Sequence, residues 1–330
     1  MTRFVALLFM LFASNFADEK GAGILSTPEI LARGHKYAAW FYSDGLDSLL
    51  QCMVDKELGI QNVRESKRKV DSQFGRETEL LNEMTGKSIL NSNRYYYIRH
   101  SRFGKAKQPV KTEFSFDGAG NVFQFSIEML PREAATRFLD YRTKTALRLP
   151  FNGQWYVAAG GPNIHTNHHA VSTDQRFAYD FLIKKDGFTF QNDGRRNEDY
   201  YCYDKTVISP GAGRIAKAVN NVHENEPGEL SRAAGNYIGI DHGNGEFSIL
   251  AHLKRGSIAV KAGDTVEIGQ FLGLCGNSGH AAQAHLHYHM QNSPVIFSGE
   301  GLPIQFQSYV ADGKEIEKGA PLWNQCVMNY

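Results

Sequence analysis

His285-Leu286-His287-Tyr288-His289 is the stretch on which the reading of this chain turns. As a β-strand it sets three imidazoles on one face and turns Leu286 and Tyr288 the other way, into a core. Neutral imidazoles packed side by side need hydrogen-bond partners, and protonated ones repel. A metal ion meets both demands, because neutral imidazole is the commonest nitrogen ligand of zinc. The plainer alternative is a solvated polar strand face with a chance run of His.

Immediately upstream, Asn277-Ser278-Gly279 reads as a loop that feeds the His strand. Further back come short β-rich runs at 207–210, 214–219, 236–241 and 246–252, punctuated by Gly. Such punctuation predicts an all-β, mostly antiparallel sheet, as a sandwich or barrel-like. His242-Gly243-Asn244-Gly245 is a hairpin turn, which makes His242 a turn residue rather than a ligand. Asn163 to His169 form a His-rich loop, and 176–183 an alternating strand. Asp180 shares a face of that strand with Ala178 and Leu182. A carboxylate among apolar neighbours is costly unless it is paired or bound to a cation, or takes backbone hydrogen bonds at a strand end. The polar run 184–205 reads as a long surface excursion. The His loop with Asp180, His252 at a strand end, and His285 with His287 form one constellation. Zinc catalysis requires three protein ligands, an open position, and groups that move protons.

The amino-terminal third has another character. Thr27-Pro28 starts a helix, with Ile30, Tyr37, Ala38 and Phe41 at helical spacing. A second helix follows Gly45. Residues 61–84 read as one long charged helical segment with Val63, Val70 and Phe74 as a thin apolar stripe. Strands are expected at 94–99, 111–116 and 122–129, the last two joined by the hairpin loop 117–121. Helices followed by an antiparallel sheet predict a small α+β domain. Its element order is similar to that of nuclear-transport-factor-2-like folds. His35 and His100 are ordinary surface or core residues here. The stretch 131–150 reads as a linker with a short helix.

Composition narrows the partners. The formal charge is +1 over 330 residues, which gives no electrostatic case for nucleic acid or an acidic membrane surface. Arg3, the apolar run 4–13 and the small residues before Asp18 predict an exported protein with a signal peptide at 1–17, bound for periplasm or exterior. No apolar run is long enough to span a membrane. Of Cys52, Cys202, Cys275 and Cys326, Cys275 reads as a buried thiol, and Cys202 with Cys326 is the first pair to test for a disulfide. The expected organisation is leader 1–17, α+β domain 18–130, linker 131–150 and β domain 151–330.

Residues 235–245, Leu250-Ala251-His252-Leu253, 260–266, Gly269-Gln270, 276–279 and His285-Leu286-His287-Tyr288 together resemble the lysostaphin-type zinc endopeptidases of bacterial cell walls. The resemblance covers roughly 150–300 and implies a zinc-dependent hydrolase acting on peptidoglycan peptide. It implies His287 and Asp180 as zinc ligands and His252 and His285 as the catalytic pair. The third ligand is where this chain departs: most members carry a His four residues before the strand Asp, and here that position is Arg176. The resemblance points instead to Asn167-His168-His169, with His169 favoured and His168 and His165 open. Gln175-Arg176-Phe177-Ala178-Tyr179-Asp180 resembles a subgroup built this way, with Arg176 free to pair with a carboxylate or touch substrate. His289 is read as a bystander. Two rivals are a catalytically inactive relative that activates other wall hydrolases, and a lipoyl-like carrier domain, which lacks the Lys at the hairpin tip.

Overall fold

Glu29 closes the start of the first helix, its carboxylate accepting from the Ser26 N–H at 2.8 Å and the Ser26 hydroxyl at 2.7 Å. This belongs to a computed structural model that describes residues 24–89, 91–231 and 234–330. The expected leader at 1–17 lies outside the described residues. Helix α1 (Thr27–Tyr42) buries Ile30, Tyr37, Ala38 and Phe41, and α2 (Leu46–Cys52) buries Leu49 and Leu50. Helix α3 (Leu58–Lys69) widens into a π-type turn over Val70–Phe74 and stops at Gly75, whose φ is +76°. That stop corrects the expected helix to residue 84. Beyond it β1 (Glu77–Lys87) pairs antiparallel with β2 (Arg94–Phe103). The charged side chains here belong to a half-exposed strand, whose alternation resembles a helix face when few apolar residues mark the period. Strands β3 (Val110–Asp117) and β4 (Val122–Met129) complete a four-stranded meander. Its inner face packs Tyr97, Phe114 and Phe125 under Phe41 in one core.

No helix forms in 131–150, contrary to expectation. Several backbone groups there bond to distant side chains instead of to one another. Buried Glu246 accepts from the N–H groups of Lys144 and Thr145 at 2.7 and 2.8 Å and from the Tyr141 hydroxyl at 2.8 Å. Leu147 and Leu149 then enter a second core.

The second core lies on a large antiparallel sheet. In chain order its region contains β5 (Trp155–Ala159), β6 (Tyr179–Leu182), β7 (Thr206–Ile208), β8 (Gly213–Val219), β9 (Asn236–Asp241) and β10 (Phe247–Leu253). There follow β11 (Thr265–Val266), β12 (Phe271–Leu274), β13 (Leu286–Gln291), β14 (Gly301–Leu302), β15 (Phe306–Ala311), β16 (Lys314–Gly319) and β17 (Cys326–Asn329). The order across the sheet is β11-β8-β9-β10-β13-β6-β5-β17-β15-β16, with β14 also on β13, while β7 and β12 form a separate pair. Strand β13 is therefore central, held between β10 and β6, and Leu286 and Tyr288 are fully buried in the core. The strand expected at 176–183 is shorter, because Ala178 N–H turns back to the Gln175 carbonyl at 2.9 Å. The stretch 184–205 is no surface excursion. Phe190, Tyr200, Cys202 and Tyr203 are buried in the second core, and buried Asp199 between them accepts from Asn192 at 2.7 Å. All four cysteines are free thiols. Cys202 donates to the Ala284 carbonyl at 3.0 Å beneath β13, whereas Cys326 sits on β17 opposite Tyr156, so the pairing of these two is not what the fold provides.

Asn82 on β1 and His100 on β2 both hydrogen-bond the carbonyl of His165, the latter at 3.0 Å. The small sheet thus touches the His-rich loop of the large one.

Candidate metal centre

Three strands and one loop converge on Asp180. In β6 it stands opposite His287 of β13, and Ala251 of β10 is the next partner across. Register therefore sets Asp180 against His287, and His252 follows Ala251 where the β9–β10 register breaks. Asp180 Oδ1 lies 3.0 Å from His287 Nδ1 and 3.6 Å from His285 Nε2. Its Oδ2 lies 2.9 Å from His169 Nε2 and 3.6 Å from His168 Nε2. Burial would raise the pKa of this carboxyl, but the surrounding imidazoles of His169, His285 and His287 outweigh it and hold the pKa well below the usual range. Burial in turn pushes His287 down to about 4, so it stays neutral and able to act as a ligand.

The loop bearing His168 and His169 is built to hold one shape. Asn167 is buried, accepts from the His169 N–H at 3.0 Å, and donates to the Gly161 carbonyl at 2.8 Å. It caps the short helical turn His168–Val171. Arg176, expected to pair with a carboxylate or touch substrate, does the former. It is buried, donates to the carbonyls of Ala134 and Pro162, and meets Glu133 at 3.1 Å. Glu133 also accepts from the Ile164 N–H at 2.8 Å. The side chain four positions before Asp180 thus braces the loop that carries the neighbouring His residues. Replacing Arg176 with Ala should lower unfolding stability on the order of 3 kcal/mol, because three acceptors lose their donor. Urea denaturation measures this, and a loss under about 0.5 kcal/mol would remove the bracing role.

His169 is the better placed of the two adjacent rings. Its side chain is 14% exposed against 60% for His168, and it is the closer to the carboxylate. His165 contributes its backbone carbonyl to Asn82 and His100, not its ring, to the structure described above.

His252 sits at φ +64°, a left-handed conformation that costs energy for a residue with a Cβ, at an irregularity in the β9–β10 register. Its Nδ1 donates to the Ser278 carbonyl at 2.8 Å. Ser278 is itself fixed, its hydroxyl donating to the Leu253 carbonyl at 2.8 Å and accepting from Asn236 N–H at 2.9 Å. Gly235 packs against it so closely that a Cβ would lie 2.4 Å from the Ser278 carbonyl oxygen. His285 Nδ1 likewise meets the Gln283 carbonyl at 2.9 Å. A carbonyl only accepts, so both rings carry the proton on Nδ1 and, when neutral, keep Nε2 as a free base. Their ring centres are 4.6 Å apart. Burial, then the imidazoles of His285 and His287, lower the His252 pKa well below the ordinary value. His289, read from sequence as a bystander, is buried with its Nδ1 2.9 Å from His287 Nε2.

The donor set fits a zinc ion. It offers imidazoles and one carboxylate, and ligand atoms on one tetrahedral zinc lie about 3.3 Å apart. The 2.9 and 3.0 Å contacts of Asp180 with His169 and His287 need widening by only tenths of an ångström. The trio whose ligand atoms all lie within 4.8 Å of one another is His168, His169 and Asp180, a grouping without His287, whose Nδ1 reaches the carboxylate through the other oxygen. Sequence reasoning missed Glu133, Ser278, Gln283 and Gln291 around this site. Of these only Gln291 carried a signal, as the next same-face position after His285, His287 and His289.

Residues 198–299 match the description "Peptidase family M23". They include His252, His285 and His287 and begin after His169 and Asp180. Peptidoglycan DD-endopeptidase ShyA of Vibrio cholerae serotype O1 is 34% identical over 94 residues, covering 26% of this chain and 21% of that protein. An uncharacterized metalloprotease of Buchnera aphidicola subsp. Baizongia pistaciae is 42% identical over 82 residues, covering 25% of this chain and 19% of that one. This chain therefore spans about a fifth of the length of these curated relatives. Among solved structures, the catalytic domain of lysostaphin from Staphylococcus simulans aligns over 45% of this chain and 86% of its own, at 20% identity and a TM-score of 0.28. Among the described residues no helix is long and apolar enough to cross a membrane. The β-rich part of this chain, with its paired His strand, is similar over residues 198–299 to peptidase family M23.

Proposed function

We propose that this chain is an exported zinc metalloendopeptidase that hydrolyses peptide bonds in peptidoglycan stems or cross-bridges. One observation carries the reading: a buried carboxylate, Asp180, gathers His169 and His287 at 2.9 and 3.0 Å beside two further imidazoles with free Nε2 atoms. His169, Asp180 and His287 would hold the ion. When bound, zinc supplies Lewis acidity and brings the pKa of water towards about 7. His285 and His252 then do the proton work. Each is fixed through Nδ1 to a backbone carbonyl, so Nε2 accepts a proton without the ring turning, and returns it to a leaving amine. The imidazolium formed in that exchange also places positive charge where the scissile carbonyl oxygen becomes negative.

Peptidoglycan as substrate rests on the named activity of ShyA, and export on the expected leader. The division at 18–130, 131–150 and 151–330 belongs to the same reading and is supported by the two separate cores. The amino-terminal unit would serve targeting, assembly or gating. Mass spectrometry of muropeptides released from purified peptidoglycan by the wild type and by His285→Ala tests the proposal. Zinc-dependent release by the wild type alone is the expected result. Equal digests, or none from zinc-loaded wild type, would overturn it.

A further inference from the structure

We propose that His289 and Gln291 form a proton-ordering chain that directs the Nδ1 lone pair of His287 at the metal site. The inference rests on the reading of His287 as a ligand. Three same-face residues of β13 are involved in sequence, His287, His289 and Gln291, and all are buried. The chain is read from its far end. The Gln291 amide nitrogen donates to the carbonyls of Ser293 and Val295, at 2.6 and 2.8 Å. Both of its N–H bonds are thus committed to acceptors, and its orientation is fixed. The amide oxygen then faces His289 Nε2 at 3.2 Å, which must be the donor. A neutral His289 with its proton on Nε2 leaves Nδ1 as an acceptor. His287 Nε2 lies 2.9 Å from that atom and must carry the proton. The remaining nitrogen, Nδ1, is the one 3.0 Å from Asp180 Oδ1.

The consequence is chemical. A neutral His287 in this tautomer points a lone pair at a carboxylate oxygen, a repulsive contact unless a cation or proton lies between them. Were the chain reversed, His287 Nδ1–H would donate to Asp180, and the two groups would satisfy each other. His289 and Gln291 are therefore positioning residues: they forbid the pairing that would close the site in the absence of metal. A donor or acceptor that fixes the far nitrogen of a ligating imidazole commonly matters about 10- to 100-fold for metal affinity. Here the partner is a second imidazole anchored by the 293–295 turn, which ties that turn to the site.

The test uses full-length metal-free protein with 15N-labelled histidine. The proton between the two rings should reside on His287 Nε2 and show scalar coupling across the hydrogen bond to His289 Nδ1. A proton on His289 Nδ1, or no coupling, would overturn the proposal. Zinc affinity by chelator competition supplies the second readout. His289→Leu should weaken binding about 10- to 100-fold. His289→Gln should restore it to within about threefold, because its carbonyl accepts and its amide donates in the same order. Equal affinities for wild type and His289→Leu, with both folded by circular dichroism, would also overturn it. Should His289→Leu fail to fold, the wild-type coupling and the His289→Gln affinity still decide. Wild type that shows the coupling but binds no zinc would sink the metallopeptidase reading and leave the proton order standing.

Discussion

Asp180→Ala is expected to abolish zinc binding and hydrolysis together. No other side chain here touches as many of the ring nitrogens: His168, His169, His285 and His287 all lie within 3.6 Å of its two oxygens. It is also the one negative group among them in these contacts, so its removal leaves a divalent ion with neutral ligands only. Zinc affinity should fall well over about a hundredfold, the upper range for losing mere supporting partners of a ligand. Hydrolysis should drop by more than about 10³, since the activated water goes with the ion. Asp180→Asn serves as the isosteric control. It keeps the volume and a hydrogen-bond acceptor but not the charge, and it should lose zinc as well. Isothermal titration with zinc and a peptidoglycan release assay on the same preparations measure both effects. Stoichiometric zinc in Asp180→Ala would mean that the ligand set lies elsewhere. A pH effect belongs with this test. Burial lowers the His287 pKa to about 4, so the folded protein keeps that nitrogen unprotonated above it, and protonation of His287 should not weaken zinc affinity between pH 8 and about pH 6.

His285→Ala and His252→Ala form the second large expectation, of a different kind. Both should retain zinc, because neither is among the three ligands, while hydrolysis falls by about 10² to 10⁴. The separation of binding from turnover is the point. His285 and His252 have ring centres 4.6 Å apart, with His285 Nε2 at 3.6 Å from Asp180 and both rings fixed at Nδ1. Truncating one should not move the other, whose carbonyl anchor is a different residue. The double variant should therefore be little worse than the more damaged single one if they share one proton transfer, and nearly multiplicative if they act on separate ones. Loss of zinc in His285→Ala would reassign that residue to the ligand set.

The His strand was legible because a period of two needs only five residues to show itself. Leu286 and Tyr288 entering the core, with the imidazoles opposite, follows from that period alone. Asp180 was legible for a related reason, as a carboxylate among apolar neighbours that needs a cation or partners. Family resemblance added roles to positions that the pattern had already brought together. The readings that failed share a physical cause. Residues 77–84 lack enough apolar side chains to distinguish a half-exposed strand from a charged helix, and the stop at Gly75 depends on a backbone angle. The short helix expected in 131–150 does not form, since N–H groups there are taken from far along the chain, those of Lys144 and Thr145 by Glu246 and that of Thr143 by Gln305. Phe190, Tyr200 and Tyr203 sit singly among polar residues, so the run 184–205 hides its buried side. The contacts of His289 were hidden for another reason: its Nε2 faces Gln291, whose amide is held by the turn at 293–295 beyond the strand pattern.

The central claim is that His169, Asp180 and His287 hold one zinc ion. Anomalous diffraction at the zinc edge, from crystals of the full chain grown with one equivalent of zinc, tests it most directly. A single peak within about 2.0–2.2 Å of His169 Nε2, an Asp180 oxygen and His287 Nδ1 is the expected result. A peak that takes His168 in place of His169, or one that leaves Asp180 and His287 unbound, would contradict the account.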